Sequence, residues 1–283
     1  MNGFFFINKP NQWTSRDVCN KISSLLHEKK VGHTGTLDPF ATGLLIVTVN
    51  KATKAGAFLD GLDKEYLATL KLGAKTNTGD LTGEVIEEKL VPNLKKEEVI
   101  EVLNSFLGDS LQLPPMVSAI HHDGEKLYEL ARAGIEVERK HRPIHIKEIE
   151  LIDFDNNEIT FRAVVSTGTY IRTLGEDIAD KLGTVGHLKT LKRTKIGEFN
   201  VENAISIEEV NESLLNDVCD VLSKILPIYS LNEKETKDVL YGNELILKNH
   251  HEKRVFLVNE DKTVYAVYGK IDNHKYTSIR GLW

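Results

Sequence analysis

Residues 30–43 read Lys30-Val31-Gly32-His33-Thr34-Gly35-Thr36-Leu37-Asp38-Pro39-Phe40-Ala41-Thr42-Gly43. Three glycines let the backbone turn tightly and approach a ligand, and Pro39 restricts the residue before it, which bears the carboxylate. The stretch from Gly32 to Gly43 is therefore expected to be a glycine-punctuated loop that can hold one acid rigidly. Alone, an Asp-Pro between glycines is most often an ordinary turn, and a histidine such as His33 is more often a surface or capping residue. What flanks the loop decides between these readings.

Upstream, residues 4–7 read as a strand that ends at Lys9-Pro10, and Thr14 or Ser15 caps a helix with Val18, Ile22, Leu25 and Leu26 at helical spacing. Downstream, residues 44–49 form a short apolar strand, 54–62 a helix, and 66–72 alternate as a half-buried strand does. Residues 76–83 read as a turn. Residues 95–106 predict an amphipathic helix with Val99, Val102, Leu103 and Phe106 inward, and 125–133 a second that stops at Gly134. Strands dominate 144–165, and a helix over 171–182 ends at Gly183. From about Tyr229 the pattern becomes one short helix, 233–241, followed by strands around 244–247, 255–258 and 264–268. No internal repeat or low-complexity segment interrupts this order, which predicts a mixed α/β or α+β body with a small β-rich tail.

The chain has 283 residues, 41% hydrophobic and 28% charged, enough to bury a substantial core. Its net charge of -6 argues against coating nucleic acid by bulk attraction, which depends on Lys and Arg meeting phosphates. Acidic residues crowd into 84–101 and 202–220. Basic ones gather as Arg139, Lys140, Arg142 and Lys147, and again as Lys189, Lys192, Arg193 and Lys195. Such runs usually mark solvated faces, and an RNA footprint is the alternative. Cys19 and Cys219 lie far apart and near no histidine cluster, so neither zinc nor a disulfide is expected, and a reducing, cytoplasmic setting fits. The apolar run at Phe4 to Ile7 lacks the flanks of a signal peptide, and no apolar stretch reaches the roughly 18 residues a membrane span needs.

The 30–43 loop resembles the first signature of the bacterial TruB family of tRNA pseudouridine synthases. Asn8-Lys9-Pro10 with Trp13-Thr14-Ser15 is similar to the family's opening motif, and Lys51-Ala52-Thr53-Lys54 closes the first block. A second block comprises Lys64-Glu65-Tyr66 through Leu72-Gly73, then Thr76-Asn77-Thr78-Gly79-Asp80 and Gly83. A third comprises Pro114-Pro115-Met116-Val117-Ser118-Ala119 with Gly124, Tyr128, Ala131-Arg132 and Gly134. The fourth is Ser166-Thr167-Gly168-Thr169-Tyr170-Ile171-Arg172-Thr173-Leu174, with His187-Leu188 and Leu191-Lys192-Arg193-Thr194. Together they span about residues 3–199 in the family's order. Departures are Asn8 for a common Asp, Gln12 for a usual Gly, His121 for Lys, and Val165 and Thr167 for Cys and Lys.

The resemblance implies an α+β fold. It consists of a catalytic domain over 1–228, with a mixed, mainly antiparallel sheet flanked by helices and an RNA-gripping insertion at about 110–145. A small PUA-like domain over 229–283 follows. It implies isomerisation of uridine 55 in the TΨC loop of tRNA, with Asp38 as the essential carboxylate, acting as nucleophile at ribose C1′ or as base at C2′. Either role needs the ionised form, and a buried site then needs a cation, for which Arg172 is the family's counterpart. The target base must leave its stack, so flat partners are required. Tyr66 is the expected platform, with Tyr170 and Leu191 lining the uracil pocket and His33 filling the space the base leaves. Lys9 and Pro10 are expected to brace the loop. The partner is the T-arm stem-loop of tRNA, with no cofactor, metal, guide RNA, membrane or protein partner implied. A non-catalytic tRNA-binding or folding protein, which would not need Asp38, is the competing reading. A base-removing glycosidase is a third.

Overall fold

A computed structural model describes residues 1–116, 118, 121–122, 125–126, 135, 137–248 and 250–282. The first part of the chain forms β1 (Gly3–Lys9), α1 (Ser15–Leu26), β2 (Val31–Thr34), β3 (Thr42–Val49), α2 (Ala52–Asp60) and β4 (Lys64–Leu72). Next come β5 (Ala74–Thr76), β6 (Val85–Glu88), α3 (Lys96–Asn104), β7 (Gly108–Gln112), β8 (His121–His122), β9 (Glu125–Lys126), β10 (Arg142–Asp155) and β11 (Glu158–Val165). After α4 (Ile171–Lys181) follow β12 (Gly186–Ile196), β13 (Phe199–Asn200), α5 (Val218–Leu222), β14 (Ile228–Ser230) and α6 (Glu233–Leu240). The chain closes with β15 (Leu245–Ile246), β16 (Arg254–Val258), β17 (Val264–Asp272) and β18 (Lys275–Gly281).

The main sheet of the described residues has the order β1-β3-β12-β4-β11-β10-β7, with β2 added to β3 and β13 to β12. Its ladders are antiparallel except where β12 runs parallel to the start of β3, at Lys192↔Thr42 and Arg193↔Gly43. β2 pairs with the far end of β3, from Val31↔Val49 to Thr34↔Ile46. Residues 35–41 therefore leave the sheet where β3 changes neighbour, and this places the glycine-punctuated loop at a break in the ladder.

Alternation sets the layers. In β11 every second residue from Ile159 to Val165 is buried, and β4 alternates likewise from Lys64 to Leu72. This inner face packs on α1 through Val18 and Ile22, on α3 through Val99 and Leu103, and on α4 through Leu174 and Ile178. α1 starts in a capping box: the Thr14 side chain accepts from Asp17 N, and the Asp17 carboxylate accepts from Thr14 N. Such a cap contributes about 1 kcal/mol. On the opposite face of β1 and β3, α2 places Ala52, Ala55 and Leu59 against Phe4, Leu44 and Ile46. The same cluster takes in Phe256, Val258 and Val267 from the second sheet, whose order is β14-β16-β17-β18-β15.

Several sequence expectations differ. Residues 31–34 form β2 instead of loop, because Val31 to Thr34 complete the free edge of β3. Glu125–Lys126 pair with His121–His122 as a short hairpin, not as the start of a helix. The remainder of that expected helix, 127–133, and the motif residues Val117, Ala119, Gly124, Tyr128, Ala131, Arg132 and Gly134 lie outside the described residues. β12, β14 and β18 are strands that periodicity does not flag. In β12 the pairing with β4 shifts register between Leu188 and Thr190 and again between Arg193 and Lys195, which breaks the alternation.

Candidate active site

Four residues from two segments, 9–15 and β12, pin the 35–41 loop. Lys9, fully buried at the end of β1, donates from Nζ to Trp13 O (2.6 Å), Pro10 O (2.9 Å) and Pro39 O (3.2 Å). Gln12 N also donates to Pro39 O at 2.8 Å. Ser15 Oγ accepts from Leu37 N at 2.9 Å. From β12, Arg193 donates to Leu44 O (2.8 Å) and Gly35 O (2.9 Å). Gly43 permits this approach: its φ is +101°, and a Cβ there would stand 2.3 Å from Arg193 O. Leu37, Phe40 and Ala41 fill the core beneath. Asp38 and Thr36 are the loop's polar side chains at the cavity, and one third of the Asp38 surface is exposed (33%).

Arg172, 3% exposed, meets that carboxylate in a two-point contact, Nε to Oδ2 at 2.9 Å and Nη2 to Oδ1 at 3.3 Å. Its position at the second residue of α4 aims the guanidinium at the loop, and Nη1 donates to Thr78 O at 2.7 Å. A second acid, Asp80, lies 4.0 Å from Arg172 Nε. Asp80 is itself held by Thr82 N (2.9 Å), Thr82 Oγ1 (2.5 Å) and Thr78 Oγ1 (3.0 Å). One buried cation thus faces two carboxylates, a geometry in which two charge-assisted bonds fix orientation as well as charge.

Burial raises the Asp38 pKa above its ordinary value, and the negative Asp80 pushes the same way, while Arg172 and then Lys9 oppose them. Desolvation wins this contest, so Asp38 is a stronger proton acceptor than a free aspartate. Lys9 is lowered to about 8, chiefly by burial, with Arg193 adding and Asp38 opposing.

Asp38 and Arg172 open into a cavity of about 240 Å³ that is also lined by Tyr66, Tyr170 and Leu191. Tyr66 comes from the buried face of β4, 8% exposed, Leu191 from β12, 6% exposed, and Tyr170 is the half-buried residue that begins α4. Burial raises the Tyr170 hydroxyl pKa, which keeps the phenol protonated at neutral pH. These five expected residues converge from four elements. His33 does not line the cavity: it sits in β2, its Nδ1 buried with no hydrogen-bond partner among the described residues, and burial lowers its pKa, with Arg16 and Arg193 adding to the effect.

The basic run at 189–195 is divided, with Lys192 exposed and the others paired or turned inward. Arg193 is 1% exposed and braces the loop, Lys189 pairs with Glu158 at 2.6 Å, and Lys195 lies 3.5 Å from Glu65. Lys64, also buried and lowered to about 8 chiefly by burial, donates to Leu62 O (2.9 Å) and to Thr167 Oγ1 (3.0 Å) at the cavity rim. Thr167 is one of the departures from the family pattern, and its hydroxyl serves here as an acceptor for that ammonium. Gln12, another departure, takes a φ of +66°, the left-handed region glycine adopts freely. In the sequence Asp80 figures only as part of the second motif block, with no role of its own, and Gln112 was not singled out. A Thr-x-Asp-x-Thr turn signal was present for Asp80, and none for Gln112.

With this geometry in hand, comparison with known proteins assigns the class. The crystal structure of a Cbf5-Nop10-Gar1 complex has the same fold at a TM-score of 0.75 and 22% identity, covering 99% of this chain and 85% of that chain. An H/ACA RNP bound to a substrate RNA containing 2′-deoxyuridine gives 0.74 and 21%, covering 99% and 84%. Residues 23–171 match the TruB family pseudouridylate synthase N-terminal domain, and residues 172–228 the tRNA pseudouridylate synthase B C-terminal domain. Fold and sequence together define a pseudouridylate synthase. A tRNA pseudouridine synthase B from Hydrogenovibrio crunogenus is 44% identical, over 88% of this chain and 82% of the relative. Its counterpart from Francisella philomiragia is 42% identical, over 98% and 95%. The chain belongs to the TruB family.

Proposed function

We propose that this protein converts uridine to pseudouridine in tRNA, at position 55 of the TΨC loop, with Asp38 as the reacting carboxylate. The observation that carries the reading is the Asp38–Arg172 pair at the floor of a cavity walled by Tyr66, Tyr170 and Leu191. The reaction breaks the N1–C1′ bond, turns the uracil, joins C5 to C1′ and releases the C5 proton. It is redox-neutral, and every atom but that exchanged proton stays on the RNA. Asp38 serves either by attacking C1′ or by taking the C2′ proton, and both require the anion that Arg172 helps to keep in a dry site.

The uridine enters flipped out of its stack. Tyr66 offers its ring face to the base, a contact worth about 1 to 3 kcal/mol. Leu191 and Tyr170 close the remaining walls, and His33, outside the cavity, is left to contact the RNA loop around it. Arg139, Lys140 and Arg142, at the C-terminal end of the insertion, provide phosphate contacts. Residues 229–283 act as a PUA-like RNA-binding unit appended to a catalytic body over 1–228. The chain works without a guide RNA: its 42–44% identity is to proteins named tRNA pseudouridine synthase B, against 21–22% for the chains of guide-RNA complexes. A cytoplasmic setting fits an enzyme acting on tRNA, and no described helix is long and apolar enough to cross a membrane.

The test is tritium release from C5-tritiated unmodified tRNA by the wild type and by Asp38→Asn, which keeps the shape and removes the charge. Release by the wild type alone, with RNA mass otherwise unchanged, is expected. Tight RNA binding with no release by either would instead support a non-catalytic tRNA-binding protein, and loss of uracil from the RNA would indicate a glycosidase.

A further inference from the structure

Gln112 is a neutral side chain buried to 4% exposure at a structural junction. It is the last residue of β7, in register with Arg142, the first of β10, so the two strands close the root of the segment 113–141. Arg139 Nη1 donating to Pro114 O at 2.9 Å ties the same root a second time. The Gln112 amide does not pair within its own strand. Its Oε1 accepts from Tyr170 N at 2.7 Å and its Nε2 donates to Tyr170 O at 3.0 Å.

Both bonds fall on one residue, as a neighbouring strand would make them, and that residue lines the cavity two positions before Arg172. Tyr170 begins α4 without any side-chain cap of its own, and its carbonyl also accepts the first helical bond, from Leu174 N at 3.0 Å. β10 grips the same turn from the other side: Ser166 Oγ accepts from His145 N at 2.9 Å, and Ser166 N donates to His145 O at 2.8 Å. The start of α4 is therefore suspended from the two strands that carry the 113–141 segment.

We propose that Gln112 is a positioning residue: from the paired ends of β7 and β10 it holds Tyr170, and through the start of α4 Arg172, in place as the cavity wall and the cation opposite Asp38. The inference rests on the pseudouridylation reading above. Its effect belongs to the chemical step, because misplacing a group by about 1 Å near a reacting centre costs on the order of a hundredfold in rate, while RNA affinity is spread over many contacts.

The experiment is single-turnover tritium release with enzyme in excess over C5-tritiated tRNA, beside filter binding of the same tRNA. It compares wild type with Gln112→Met, which keeps length and removes both bonds. A rate constant lowered by at least about tenfold, with full amplitude and a Kd within about twofold, is expected. A rate constant within about twofold of wild type, or a loss of amplitude alone, overturns the proposal, the latter because it reports inactive molecules instead of slower ones. Should Gln112→Met fail to fold, Gln112→Asn, which keeps the amide and draws it back by one methylene, carries the same expectation. An inactive wild type would instead overturn the reading of the reaction, and this inference with it.

Discussion

The behaviour of Asp38 with pH follows from its surroundings. Its pKa lies above the ordinary 3.8 because burial and Asp80 outweigh Arg172 and Lys9. The proposed role of Asp38 needs the anion, so on that proposal kcat/KM should fall as pH drops through a value higher than 3.8, and Arg172→Met should move that acid limb higher still while lowering kcat by about a hundredfold. A pH profile of single-turnover rates checks both, and a limb unmoved in Arg172→Met would disprove the electrostatic role. The sign for stability is the reverse of the usual carboxylate case. The folded protein holds this proton more tightly than the unfolded chain, so as pH rises from 3.8 through the raised value, the contribution of Asp38 to stability declines. The site was legible at this scale where a motif carried the residue type, as at Asp38, Tyr66, Tyr170 and Arg172. Gln112 was not, since an isolated glutamine before Pro114 has no signature until its partner, 58 residues away in sequence, is known.

Among elements, β12 decides whether the loop is held. It contributes Leu191 to the cavity and Arg193 to the carbonyls of Gly35 and Leu44. Replacing Arg193 with Met removes the donor to a buried and a part-buried carbonyl, and leaving such groups unpaired should cost about 3 kcal/mol in all. Urea unfolding of Arg193→Met measures the loss. A change below about 1 kcal/mol would mean that water or a shifted loop satisfies those carbonyls instead. The sequence could not show this, because a run of Lys and Arg looks the same whether its members point to solvent or inward. Two register shifts in the pairing of β12 with β4 hide the alternation that would have separated them. β4 and β11, regular and alternating, were readable from residue pattern alone. The hairpin at β8 and β9 was missed because Glu125 and Lys126 read as the start of a helix over 125–133.

Across the whole molecule, the second sheet is joined to the first by shared core. Phe256 from β16 meets Phe58 of α2 edge to face, ring centroids 5.4 Å apart, in the cluster that also contains Phe4 and Leu44. The packing therefore runs across the boundary near 229 that the change of helix and strand pattern suggests. Phe256→Ala should cost about 3 to 5 kcal/mol. Calorimetry should show one transition for the wild type, with calorimetric and van't Hoff enthalpies in agreement. Two separated transitions, with only the second moved by Phe256→Ala, would contradict a common core.

The parallel contact between β3 and β12 also has a consequence in time. Arg193 and the Leu44 carbonyl it holds are 149 residues apart in the chain. At a synthesis rate of about 5 to 20 residues per second, on the order of ten seconds or more pass between the ribosome's completion of the aspartate loop and its completion of the clamp. Until then the loop that bears Asp38 lacks its Arg193 anchor and has only its contacts to Lys9, Gln12 and Ser15. Competence arrives late in translation, when most of the chain has already been made.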